Sequence, residues 1–64
     1  SFKYMELAGT DFRQANFFDS SLKGIDFTLC DIGGITVGRD DLWGAVVTVQ
    51  QAAQLAKLMG VVVV

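Results

Sequence analysis

The chain has 64 residues, enough for one small domain and too few for two cores. With 52% hydrophobic and 19% charged residues it is no disordered tail, and a net charge of −2 argues against a nucleic-acid-binding surface. The absence of histidine and the presence of one cysteine, Cys30, exclude Ser/His and Cys/His catalysis, an internal disulfide and most metal sites.

The first predicted element is a repeat. Stepping by five from Phe2 meets Leu7, Phe12, Phe17, Leu22, Phe27, Ile32, Val37, Leu42 and Val47, all large and apolar. A period of five makes no stripe on a helix and alternates faces on a strand. It requires a backbone that turns a corner every five residues. The flanking columns agree. Two residues before each centre stand Met5, Thr10, Ala15, Ser20, Ile25, Cys30 and Ile35, mostly small or apolar, while one residue before stand Glu6, Asp11, Asn16, Ser21, Asp26 and Asp31, all polar. Two residues after come Gly9, Gly24, Gly34 and Gly44, which supply backbone freedom for turns. Two inward columns and three outward ones describe a filled tube. The rhythm breaks at Asp40-Asp41, read as a corner loop, since an unpaired buried acid is costly.

Thr10-Asp11-Phe12-Arg13-Gln14, Ala15-Asn16-Phe17-Phe18-Asp19 and Cys30-Asp31-Ile32-Gly33-Gly34 resemble the unit of the pentapeptide-repeat proteins. The resemblance implies an all-β solenoid: a right-handed quadrilateral β-helix with twenty residues per square coil, closed by a C-terminal α-helix and a short strand. Residues twenty apart would then stack at about 4.8 Å. The expected core columns hold Leu7, Phe12, Phe17, Leu22, Phe27 and Ile32. Residues 1–47 form the repeat, which is already running at Phe2 and implies the C-terminal part of a longer solenoid. Residues 48–64 form a cap and dimerisation module.

In that module Thr48 and Gln51 read as a capping box and Gly60 as the residue after a helix, which predicts a helix over 49–59. Its apolar arc is about twice the width of a one-sided surface helix. Valines 61–64 are strand-like with no partner downstream, an aggregation hazard unless covered. Both features point to a homodimer, with Leu55, Leu58, Met59, Val61, Val62 and Val63 at the interface. Asp41-Leu42-Trp43-Gly44-Ala45, Gln51-Ala52, Leu55, Leu58-Met59-Gly60 and the valines also resemble the end of the quinolone-resistance (Qnr-type) pentapeptide-repeat proteins. That resemblance implies a DNA-mimicking dimer that binds DNA gyrase or topoisomerase IV. The alternative is a scaffold that dimerises and has no topoisomerase role.

The candidate partner surface is Glu6, Asp11, Asp26, Asp31 and Phe18. Stacking by twenty places Asp11 over Asp31, Lys3 over Lys23, and Asp19 over Arg39 as an expected ion pair. The acids also fit a plainer reading, in which Asp and Asn before each centre belong to the repeat itself. Trp43 is expected under the helix, and Cys30 as a small buried hydrophobe. The glycines at 33, 34 and 38 do not have phosphate-binding spacing. No catalytic, cofactor or metal residues are expected, and the chain is read as cytoplasmic, with no nucleic-acid or membrane partner. The longest apolar run, the four valines, is far below the roughly 18–20 residues of a membrane span. A core this small implies marginal stability for the 64 residues alone.

Overall fold

The computed structural model describes residues 7–64. Phe2, Lys3 and Glu6 lie outside them. The local unit is a tight turn that begins at an apolar centre. Thr10 N–H donates to Leu7 O (2.9 Å), Ala15 to Phe12 O (2.9 Å), Ser20 to Phe17 O (3.0 Å), Ile25 to Leu22 O (3.1 Å) and Ala45 to Leu42 O (3.0 Å). In each of these five turns the third residue has positive φ: Gly9 79°, Gln14 66°, Asp19 61°, Gly24 78° and Gly44 79°. Positive φ at that position defines a type II turn. The glycines therefore fall where the backbone needs them, whereas Gln14 and Asp19 hold a left-handed conformation that L-residues disfavour.

At four centres, Phe12, Phe17, Phe27 and Ile32, the preceding residue braces the chain from outside. Asp11, Asn16, Asp26 and Asp31 each accept, through a side-chain oxygen, the backbone N–H two residues on, at 2.8–3.3 Å. A short carboxylate or carboxamide reaches that N–H; a longer side chain overshoots it. The polar column is thus part of the turn chemistry.

Successive turns stack. Asp11 bridges Asp31, Asn16 bridges Thr36 and Asp26 bridges Val46, each pair parallel and twenty residues apart. Phe12 N–H donates to Asp31 O (2.8 Å), and Asp31 N–H returns to Thr10 O (3.1 Å). The same exchange recurs at Phe17, Thr36 and Ala15 (2.7 and 2.9 Å), and at Phe27, Val46 and Ile25 (2.8 and 2.9 Å). Each bridge is isolated, because the chain turns away before a second pair can form. The regular elements of the described residues are one 3-10 turn, Arg39–Leu42, and one helix, Val49–Leu58, which we call α1.

Side chains of the centre column meet inside the stack. Leu7, Leu22, Phe27 and Ile32 are at most 4% exposed, and Ile35 from the small column joins them. Phe12 and Phe17 are half-buried. Their rings and that of Phe27 pack edge to face, with centroids 5.5–6.0 Å apart. Such pairs contribute about 0.5–1.5 kcal/mol beyond burial.

The break at Asp40 takes the form of the 3-10 turn rather than an open loop, with Asp40 exposed. Asp41 holds it in place: its Oδ2 accepts Gly38 N–H (3.0 Å) and, from 22 residues earlier in the chain, Asp19 N–H (2.9 Å). The expected Asp19–Arg39 pair is replaced, since Arg39 Nε lies 3.8 Å from Asp40.

The α1 helix starts as its sequence predicts. Thr48 Oγ1 accepts Gln51 N–H (3.1 Å) and Gln51 Oε1 accepts Thr48 N–H (2.9 Å). At the far end Gly60 N–H donates to Lys57 O and Val61 N–H to Ala56 O, both at 3.0 Å, the two bonds of a Schellman ending. The helix stops at Leu58, one residue earlier than expected, with Met59 as its C-cap. Three expectations are corrected here. Leu55, expected at a dimer interface, is 8% exposed and packs into the chain's own core, because the helix lies with Gln51 and Leu55 inward. Residues 61–64 form no strand; Val61 N–H is used in closing the helix instead. Trp43 is 68% exposed instead of lying under the helix; Lys23, twenty residues earlier, places its ammonium 4.8 Å from the indole.

Candidate interaction surfaces

The acidic side of the stack is built from the residues before the centres. Glu6 lies outside the described residues. Asp11 and Asp31 are stacked as expected, and both are exposed. Two like charges so placed repel, and Arg13 lies between them. Its Nη2 is 2.7 Å from Asp11 Oδ2 and its Nε is 3.6 Å from Asp31 Oδ2. The side-chain hydrogen bond from Arg13, reinforced by its backbone N–H, lowers the Asp11 carboxyl to about 2. The same contact raises Arg13. The Thr28 hydroxyl (2.6 Å) and then its backbone N–H (2.8 Å) hold Asp26 below the usual carboxylate range. Each of these three acids has an oxygen committed to the turn that follows it. The column presents negative charge, but it is charge already engaged with the repeat.

Apolar groups break the outer surface at separate corners. Phe18 is 61% exposed and Leu29 70%. Phe18 lines a shallow hollow of about 380 Å³ with Asp19, the 3-10 turn residues Asp40 and Asp41, and Met59. The structure therefore joins one candidate contact residue, Phe18, to another, Met59, across 41 positions of sequence. Leu29 escaped the sequence reading because it lies two residues after its centre, in a column otherwise marked by glycine and polar residues.

The largest apolar exposure is C-terminal. Leu58, Met59, Val61 and Val63 are each 40–54% exposed, while Val62 and Val49 reach 85%. Val49 stands apart at the start of α1, whereas Leu58, Met59 and Val61–Val63 lie together at its exit around Gly60.

Cys30 is half-buried, and its thiol donates to Leu7 O at 2.9 Å. It belongs to the stacking contacts. Among the described residues no group of three or more His, Cys, Asp or Glu side chains is placed to hold a metal ion, and no helix is long and apolar enough to cross a membrane. Gln51, which the sequence marked only as half of a capping box, is the one buried polar side chain of the described residues, at 7% exposure. Its Nε2 donates to Phe27 O (2.7 Å) and Cys30 O (2.9 Å).

The family described as Pentapeptide repeats (8 copies) matches residues 1–34, just over half of the chain. No curated protein matches it.

Proposed function

The chain belongs to the pentapeptide-repeat family, and from that premise we propose that it is a non-enzymatic interaction protein that pairs with a second copy through its C-terminal module. The repeat part, in this reading, winds as a right-handed quadrilateral β-helix, which the constant twenty-residue spacing of parallel bridges supports. One observation carries the pairing: Leu58, Met59 and Val61–Val63, on either side of Gly60, form an exposed apolar run at the end of a well-capped helix. Water contact with so much aliphatic surface is unfavourable by about 25 cal/mol per Å². A second copy, presenting the same patch, relieves it on both sides at once. Val62 and Val63, which follow the bond from Val61 N–H to Ala56 O, then gain a backbone partner. Sedimentation equilibrium of the full chain tests this. A concentration-dependent dimer that Val62→Asp abolishes is the expected result, and a monomer at all concentrations refutes it.

A more specific reading is a DNA mimic that binds DNA gyrase or topoisomerase IV and protects it from quinolones. The stacked pair Asp11 and Asp31 and the Qnr-like residues between Asp41 and the valines favour it. Arg13, bonded to Asp11 and close to Asp31, weakens the acidic field on that side. A gyrase supercoiling assay with a fluoroquinolone and the full chain separates the two readings. Protection supports mimicry, whereas dimerisation without protection or gyrase binding leaves the scaffold.

A further inference from the structure

The two turns of stacked backbone have an end, and chemistry at that end differs from what a capping box requires. Between stacked coils, Asp31 N–H donates upward to Thr10 O at 3.1 Å. Twenty residues further on, the corresponding acceptor is Cys30 O and the corresponding donor is the residue at position 51. Position 51 has left the repeat and entered α1, where its own N–H is used by Thr48 Oγ1. The bond is nevertheless made: Gln51 Nε2 reaches Cys30 O at 2.9 Å, and its second hydrogen reaches Phe27 O at 2.7 Å. With Oε1 accepting from Thr48, both donors of the carboxamide and its acceptor are engaged.

We infer that Gln51 is the stop of the stack: its side-chain amide stands in for the peptide N–H of a further coil. Docked this way, α1 sits in register over the last coil, and Cys30 O and Phe27 O are closed to the edge of a second copy. Open edges of paired backbone invite such additions, and an occupied acceptor does not. Association of the chain is thereby directed to the exposed residues of α1 and the valines. The choice of glutamine over glutamate follows. Either completes a capping box, and glutamate suits a helix N-terminus better because of the dipole. Glutamate, however, presents an oxygen to two carbonyl oxygens.

That difference provides the test, on the full chain. In Gln51→Glu the cap is retained and the donors are lost; Gln50→Glu adds the same charge at the exposed neighbouring position. Thermal melts are expected to show Gln51→Glu well below the wild type at pH 7 and Gln50→Glu at or above it. The deficit narrows near pH 4, because the buried carboxyl, protonated there, regains a donor. In the unmodified chain, the Gln51 side-chain amide protons exchange with solvent at least about tenfold more slowly than those of Gln50, as buried hydrogen-bonded groups do. A Gln51→Glu protein as stable as the wild type at pH 7, or a Gln51 carboxamide that exchanges as fast as that of Gln50, overturns the assignment. The exchange measurement decides even if the variant fails to fold.

Discussion

Ile32 offers the sharpest test of the five-residue frame, because its comparison residue, Leu29, is an aliphatic of equal size three positions away. Ile32 is 2% exposed and Leu29 is 70% exposed. Removing one methylene from a buried isoleucine loses about 0.8 kcal/mol of transfer free energy. With the cavity left behind, Ile32→Val is expected to cost about 0.5–1.5 kcal/mol, and Ile32→Ala about 2–5 kcal/mol. A core of this size supplies roughly 3–5 kcal/mol in all, so Ile32→Ala consumes a large part or all of it. Leu29→Ala, at the surface, should change stability by no more than about 0.5 kcal/mol. Urea denaturation of the full chain, followed by circular dichroism, reads all three as shifts in midpoint at constant slope. Equal losses for Ile32→Val and Leu29→Ala, or an Ile32→Ala protein as stable as its parent, refute the inward placement of the centres.

Gly34→Ala tests the twenty-residue register: Gly34 has φ 68° and an added Cβ meets the Gln14 carboxamide, so a loss of about 1–2 kcal/mol from the backbone alone is expected. The further loss from the Gln14 contact disappears in the background of Gln14→Gly while the backbone part remains, and strictly additive effects in the double-mutant cycle refute the stacking of 14 on 34. Asp11, held at about 2 against an ordinary 3.8, adds stability above the unfolded value that disappears as pH falls toward 2. Arg13→Ala should therefore flatten the acid limb of the stability profile between pH 4 and 2, and an unchanged limb counts against the pair. Leu55→Asp and Leu58→Asp are expected to part company, the first unfolding the chain and the second leaving a folded monomer; a folded Leu55→Asp monomer contradicts the inward helix face.

The repeat was legible in sequence because its cause is local. An apolar centre every five residues and glycine two positions after many of them state where the chain turns, and turn geometry decides which side chains point in. Phe12, Phe17, Phe27 and Ile32 could be placed on that basis alone. The helix ends were equally local: Thr48 with Gln51, and Gly60 after Met59, are short-range hydrogen-bond chemistry. Gln14 and Asp19 show the limit of this reasoning, since they occupy left-handed positions that composition assigns to glycine.

What the tertiary structure decided is every question about which of two distant surfaces a side chain meets. Period and capping do not set the rotation of α1 over the coil; the bonds from Gln51 to Phe27 O and Cys30 O do, and they turn Leu55 inward while leaving Leu58 partly in water. Stacking alone put Asp11 against Asp31, but only the path of the Arg13 side chain shows the repulsion answered. Lys23 over Trp43 joins residues twenty apart, where the local reading had placed Trp43 under the helix. Local hydrogen bonds are written within four or five residues, whereas the partner of a side chain twenty or more positions away exists only after the chain has closed on itself.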